Sequence, residues 1–309
     1  MIAVPLFVPE SSRSQHLTRV IGIGVNAQAT WVLAASEDRA LVDLAVDGMV
    51  EQGLASTQVV NVDTFIPKPG QTWQQHVPQA DDIAFLQYTS GSTAAPKGVM
   101  VSHGNLIANE IAIKEGFSCT EEDIFASWLP LYHDMGLIGG LLQPLFLGTK
   151  CVLMSPRFFL ERPIRWLAAI ARHKATVSGG PDFSYRLCVE RTKPKALAEL
   201  DLSNWKVAFS GAEPIRYDTL TDFIGHVEIT GFNAAAIFPC YGLAEATLFV
   251  TGRKRQTGMR VMELDGEALA KGFAKSVEQG VKQVSCGGFV SEHEVRITDP
   301  LTGIALADG

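Results

Sequence analysis

The sequence predicts an α/β fold, with largely parallel sheets carrying helices on both faces and a β-rich segment at the C-terminal end. Three observations lead there. Short runs rich in β-branched and aromatic residues alternate with helix-length segments, the pattern of βαβ units. Several runs end in glycine-, serine- or proline-containing turns that pass straight into a helix. And 47% of the 309 residues are hydrophobic, enough for a sizeable core in one large domain or two smaller ones.

Taken in order, residues 2–8 read as a buried strand, and VIGIGVNAQ and TWVLAAS as β-rich runs. A helix is predicted over 41–53 and a strand at STQVVNV. Residues 62–82 hold three prolines and a glycine and read as a loop or linker. IAFLQYT and residues 98–101 read as strands. Ser102 and Asn105 then offer an N-cap for a helix near 103–115. Strands at CVLM, ATVSG, KVAFSG and AAIFPCY alternate with helices near 161–173, 182–191 and 214–225. From about residue 255 the helical rhythm fades. KQVSCGG and HEVRITDPLTGIAL suggest a hairpin region with a turn at residues 299–303. The expected organisation is an α/β core over 1–254 and, over 255–309, an insertion-like segment followed by the start of a β-rich subdomain.

With 33 acidic and 26 basic side chains, the net charge of −7 argues against nucleic acid as a partner. The one basic cluster, Arg253-Lys254-Arg255, reads as a solvated loop. Five scattered cysteines, Cys119, Cys151, Cys188, Cys240 and Cys286, read as buried free thiols of a cytoplasmic protein. MIAVPLFVPE lacks a basic leader and is broken by Pro5 and Pro9, so it does not read as a signal peptide. No apolar run reaches the ~18 residues of a membrane span.

The chemistry concentrates in five segments. The first is Tyr88–Gly98, YTSGSTAAPKG. Thr89, Ser90, Ser92 and Thr93 supply hydroxyls, Gly91 and Gly98 permit unusual backbone angles, and Lys97 supplies a cation, all suited to phosphate oxygens. The lysine precedes the second glycine and a strand follows, so this is not the P-loop pattern. A polar hairpin turn is the competing reading. The second segment, WLPLYHDMGLIG, carries His133 and an Asp134 able to cap an apolar helix. The third is Ser178–Phe183, and the fourth is Phe209–Pro214. Both are turns at strand C-termini, where open α/β sheets bind ligands, although ordinary strand-to-helix turns have the same composition. In the fourth, Pro214 suits a first helical position. The fifth, PCYGLAEAT, offers the Tyr241 ring for stacking and the Glu245 carboxylate for a hard cation. The two lie on one side if the backbone is helical there.

Together and in this order, the five segments resemble those of the adenylate-forming superfamily of acyl-CoA synthetases, peptide-synthetase adenylation domains and luciferases. The resemblance implies the large N-terminal domain of that superfamily, and ATP with Mg²⁺ as cofactors. It assigns Lys97 and residues 89–93 with Gly98 to the ATP phosphates, and Glu245 to Mg²⁺. Gly211, Ala212, Glu213, Pro214, Tyr241 and Gly242 would hold the adenosine. His133 would border the phosphate and acyl sites, and Gly179, Gly180, Pro181, Asp182 and Phe183 the acyl group.

LQYTSGST, YHDMGLIG and CYGLAEATL are most similar to the fatty-acyl-AMP ligases, and so is the long stretch between Thr247 and Cys286. These enzymes activate a fatty acid with ATP and pass it to the phosphopantetheine arm of an acyl carrier protein. A tolerated surface insertion is the alternative reading of that stretch. Both ends read as those of a fragment: the ribose-binding Thr-Gly-Asp motif, the hinge and the small C-terminal domain with its catalytic lysine are expected of the family but do not occur here. The alternatives are a fatty acyl-CoA synthetase and a truncated, non-catalytic nucleotide-binding relative.

Overall fold

The run read as strand at VIGIGVNAQ is instead part of a helix, α1 (Gln15–Asn26), and the smaller unit is built on it. In this computed structural model, residues 2–9, 11, 15–66, 70, 76–89, 96–290 and 293–306 are described. The chain divides into two compact units, 1–106 and 107–309.

In the first unit, α1 is followed by β1 (Trp31–Ala34), α2 (Arg39–Glu51) and β2 (Gln58–Asn61), a right-order βαβ pair with Trp31 opposite Gln58. Val20, Ile23 and Gly24 are buried at i, i+3 and i+4, and Val20 packs with Ala45 and Met49 of α2. A β-carbon on Gly24 would fall 2.3 Å from Met49, and one on Gly48 2.4 Å from Ile21. Each helix therefore receives the other's side chain where it has none. That packing overrides the strand preference of the β-branched residues. The expected strand at 2–8 is reduced to a single parallel bridge, Ala3 to Phe85, with Ile2 and Val8 exposed. Pro5 and Pro9 have no N–H to extend the ladder.

The unit continues with β3 (Ile83–Tyr88) and β4 (Gly98–Ser102), an antiparallel pair, as the sequence predicts. At the head of α3 (His103–Phe117), Asn105 N–H donates to Ser102 Oγ (3.1 Å) while Ser102 N–H donates to Asn105 Oδ1 (3.2 Å). This reciprocal cap is the one expected from these two residues.

The second unit is organised around a sheet. Its elements follow α3 as β5 (Phe125–Ser127), a π-helix (Met135–Leu142), α4 (Gln143–Leu147), β6 (Cys151–Leu153), α5 (Pro156–Glu161), α6 (Ile164–His173) and β7 (Val177–Gly180). Then come α7 (Asp182–Arg191), α8 (Pro194–Leu197), β8 (Val207–Ser210), α9 (Tyr217–Val227), β9 (Ile237–Gly242) and β10 (Phe249–Gly252). The strand order is β10-β9-β8-β7-β5-β6, parallel except for β10 against β9. Helices cover both faces. On one side, the Trp166 indole donates to Ser178 Oγ (2.8 Å), within an aromatic cluster joining Trp128, Phe159, Tyr185, Trp205 and Phe223. On the other, Phe117 of α3 packs on Phe209, Phe238 and Phe249. Strand alternation sends Ser178 and Phe209 to these opposite sides.

Beyond the sheet, β11 (Val261–Leu264) and β12 (Val281–Val284) form an antiparallel ribbon around α10 (Gly266–Ala270). Gly252 and Gly288 exchange two backbone hydrogen bonds, joining the edge of β10 to this region. The turn at 299–303 forms, with Asp299 Oδ1 accepting from the Leu301 and Thr302 N–H groups. Arg255 is not solvated as expected. It forms a bidentate pair with the buried Asp123 (2.7 and 3.0 Å), whose second partner is the Thr176 hydroxyl.

Candidate functional site

In the first unit, the hairpin expected to hold phosphate closes between Thr89 and Lys97, whose carbonyl accepts the Thr89 N–H (3.4 Å). Lys97 is exposed at the base of β4. Ser90, Gly91, Ser92 and Thr93 lie outside the described residues. Gly98 does not adopt a positive φ. It is the first residue of β4, and the Tyr88 ring occupies the place where its β-carbon would be (2.9 Å). The Tyr88 hydroxyl donates to Asn26 Oδ1 (2.6 Å). So the glycine serves strand packing rather than an unusual backbone angle. The sequence reading missed Arg19, whose guanidinium donates to the Thr89 carbonyl (2.8 Å) and adds a second cation at this hairpin. That pairing joins α1 to β3 and has no local signature.

In the second unit the other four segments meet at the C-terminal ends of the parallel strands. β7 ends at Gly179 and Gly180, and α7 begins at Asp182. Neither glycine tolerates a side chain: a β-carbon would fall 2.1 Å from the Phe209 carbonyl or 2.7 Å from the Trp128 ring. One strand over, β8 runs into Gly211 and then Ala212, which sits at φ +65°. The helix expected from Pro214 starts only at Tyr217. The intervening turn is held by two carboxylates instead. Glu213 Oε1 accepts the Phe183 N–H (2.7 Å), and Asp182 Oδ1 accepts the Arg216 N–H (2.9 Å). Asp182 is buried while Phe183, Ala212, Glu213 and Pro214 face solvent.

On the next strand, the Gly211 turn lies directly against Cys240, with the missing β-carbon 3.0 Å from the Cys240 carbonyl. Tyr241 follows in β9 with its side chain exposed, and Gly242 ends the strand. Tyr241 and Glu245 are not on one helical face as expected: Tyr241 is in a strand, and Glu245 is exposed on a single 3₁₀ turn, Ala244–Ala246. The chain must reverse here to form β10, which rules out a longer helix. A β-carbon on Gly242 would fall 2.0 Å from the Leu248 carbonyl.

The second segment supplies Trp128, which packs against Gly180 and, edge to face, Phe183. Asp134 caps the following helix as expected, accepting the Met135 N–H (2.6 Å). That helix is a π-helix, a form enriched at functional sites. The Gly136 position touches the Pro130 carbonyl, and the Gly139 position touches Leu248. His133 is half-exposed, with Nδ1 2.6 Å from Asp134 Oδ1. This hydrogen bond raises the histidine above its ordinary pKa, against the opposing effect of burial. With Nδ1 committed to Asp134, Nε2 is left for a ligand.

The implied nucleotide fits this end of the sheet. Among the described residues, Trp128 Nε1 and Ser210 Oγ are buried without a hydrogen-bond partner, the kind of vacancy a polar ligand or water satisfies. Both residues lie in the motif segments, but nothing in the sequence says that their neighbours leave them unsatisfied. Among the described residues no three His, Cys, Asp or Glu side chains converge as a metal cluster. A lone exposed carboxylate such as Glu245 suits an ion that keeps water and phosphate as its other ligands, as Mg²⁺ does. The cysteines are unpaired, and burial pushes the Cys119 and Cys240 thiols up to about 12, which makes them poor nucleophiles.

The sequence model of the family described as AMP-binding enzyme matches residues 15–309. The chain belongs to the AMP-binding enzyme family. Within it, the chain is 39% identical over 309 residues to a medium-chain-fatty-acid–acyl-carrier-protein ligase of Moorena producens, covering 98% of this chain and 52% of that protein. A ligase of the same description from Teredinibacter turnerae is 43% identical over 258 residues, covering 82% of this chain and 39% of the relative. The fold matches a fatty acyl-adenylate ligase from L. pneumophila, solved in complex with acyl adenylate and pyrophosphate. The TM-score is 0.88 at 38% identity, over 99% of this chain and 52% of that one. This AMP-binding chain thus spans about half the length of most of the proteins it matches. Among its described residues no helix is long and apolar enough to cross a membrane.

Proposed function

We propose that this AMP-binding chain activates a fatty acid with ATP, forming fatty-acyl-AMP and releasing pyrophosphate, for transfer to an acyl carrier protein. The observation that carries the reading is the convergence of the 179–183, 211–216 and 239–245 segments at the C-terminal ends of β7, β8 and β9, linked by direct contacts at each step. It is supported by the similarity to a ligase crystallised with acyl adenylate and pyrophosphate, and to relatives named for medium-chain fatty acids and acyl carrier protein.

In this reaction a carboxylate oxygen bonds to the α-phosphorus while the bond to the pyrophosphate oxygen breaks. No proton transfer is required, so positioning and charge neutralisation carry the catalysis. The Tyr241 ring, Gly242 and the turn Gly211–Pro214 hold the adenosine. Phe183 and the Gly179–Asp182 turn border the acyl group. His133 presents Nε2 to the carboxylate or phosphate, and its raised pKa favours the charged donor form. Lys97, Thr89 and the hairpin residues Ser90–Thr93 serve the phosphates. Glu245 would hold Mg²⁺, which when bound would neutralise phosphate charge. The division into a core over 1–254 and an insertion-like segment from 255 belongs to the same reading.

The test uses the intact protein with lauric acid, ATP and Mg²⁺, offered either coenzyme A or a phosphopantetheinylated carrier protein. Pyrophosphate release should depend on the fatty acid, and the acyl group should reach the carrier and not coenzyme A. Lys97→Ala and Glu245→Ala should each cut the release sharply. Efficient acyl-CoA formation would reassign the acceptor, and rates unchanged by both substitutions would overturn the site.

A further inference from the structure

Asn109 is buried on α3, and its carboxamide is committed to the chain just after Glu245. Its Oδ1 accepts the Phe249 N–H (2.9 Å), and Nδ2 donates to the Phe249 carbonyl (2.9 Å) and the Ala246 carbonyl (3.3 Å). The side chain pairs with Phe249 as the backbone of a neighbouring strand would.

Between these anchors lies Thr247 at φ +72°, ψ −62°. The Leu248 N–H donates back to the Ala246 carbonyl (2.9 Å), closing a γ-turn of positive φ. That form is rare and strained, and more so for a β-branched residue. Such a conformation persists only where its surroundings over-determine it. Here they do: Asn109 grips both sides of the turn, and the Leu243 N–H donates to the Leu248 carbonyl (2.9 Å). Glu245 itself is exposed on a one-turn segment, whose hydrogen bonds from the Ala246 N–H to the Leu243 carbonyl (3.0 Å) and from the Thr247 N–H to the Ala244 carbonyl (2.9 Å) run directly into the clamped turn.

We propose that Asn109 is a positioning residue for the metal carboxylate: by clamping the strained turn at Thr247 it holds Glu245 in the orientation that takes the nucleotide's magnesium ion. The proposal rests on the reading of Glu245 as that ligand. A carboxylate fixed before binding loses no freedom when the ion arrives, so loss of the clamp should weaken metal binding ahead of turnover.

Asn109→Ala, the smaller change Asn109→Ser, Thr247→Gly and the double variant Asn109→Ala with Thr247→Gly are compared in the intact protein. Two readouts are taken: the magnesium concentration giving half-maximal pyrophosphate release, and cleavage of the Glu245–Ala246 bond by a glutamyl endopeptidase. Both Asn109 variants should raise the half-saturating magnesium about tenfold or more, as outer-shell changes at metal sites do, with kcat at saturating magnesium largely retained. Both should also speed cleavage after Glu245. Glycine at 247 removes the cost of positive φ, so the double variant should recover most of the magnesium affinity and protection. Lower Tm with unmoved magnesium dependence would make Asn109 structural only and overturn the proposal, as would no recovery in the double variant. If the wild type releases no pyrophosphate in response to fatty acid, the proposed function fails separately. Cleavage after Glu245 and its reversal by Thr247→Gly then decide the proposal alone.

Discussion

Asp182 and Arg216 are joined across two strands of the core sheet: the Asp182 carboxylate, buried at the start of α7, accepts the Arg216 N–H just ahead of α9 (2.9 Å). With the Glu213–Phe183 hydrogen bond, it makes the 179–183 and 211–216 turns, proposed to border the acyl group and the adenosine, one unit. Asp182→Ala should therefore cost about 1–3 kcal/mol, the usual penalty for a lost partner of a partly buried group. Asp182→Asn keeps an acceptor and should cost much less. Urea titration of both variants distinguishes them.

His133 sets a pH dependence. Asp134 raises its pKa above the ordinary 6.5. A raised folded value means that the pair's contribution to stability is complete below 6.5 and is lost as pH rises through the folded pKa. The activity limb that reports the imidazolium should fall over the same range. Asp134→Asn should move that limb to lower pH, read from the pH profile of pyrophosphate release and from NMR titration of the ring.

Arg255 and Asp123 form a pair that lies mostly out of solvent. Burial pushes the Asp123 carboxyl up, but Arg255, Thr176 and Thr120 together outweigh it, leaving the pKa below 3.8. The depressed value places the pair's stabilisation above pH 3.8 and its loss as pH falls through the folded pKa. Arg255→Met strands the carboxylate and should cost about 3–5 kcal/mol at neutral pH. The deficit should shrink toward pH 4 as Asp123 takes a proton, which denaturant melts at the two pH values would show.

Glu110, beside Asn109 on α3, is buried with its carboxyl pushed up from 4.5 to about 8 by desolvation. The Gln143 amide, with its nitrogen toward α3, donates to the Glu110 carbonyl (3.0 Å) and to the carboxyl itself. The unfolded chain ionises above 4.5 while the folded one keeps its proton to about 8, so stability falls across that interval. Glu110→Gln should be more stable than wild type at pH 8 by roughly 1–3 kcal/mol, and should lose that advantage near pH 4.5. Thermal melts at both pH values check it.

Period and punctuation carried much of this fold. The β3–β4 pair, the Ser102–Asn105 cap, α7 over 182–191 and the Asp299 turn are local matters, set by residues a few positions apart, and all are legible in the chain. The five motif segments were legible as local patterns too, and the family they point to is the one the chain belongs to. What failed was local inference about residues whose conformation is set from elsewhere. The β-branched run in α1 became a helix because the glycines of α1 and α2 let them pack closely. Tyr241 and Glu245 parted because β10 must turn back on β9. Arg255 left solvent because Asp123 waits 132 residues away in sequence. The sequence by itself determined which chemical groups the protein holds and the order in which they occur. Only the tertiary structure decided which of them face one another, because burial and hydrogen-bond partners come from chain segments that no local pattern connects.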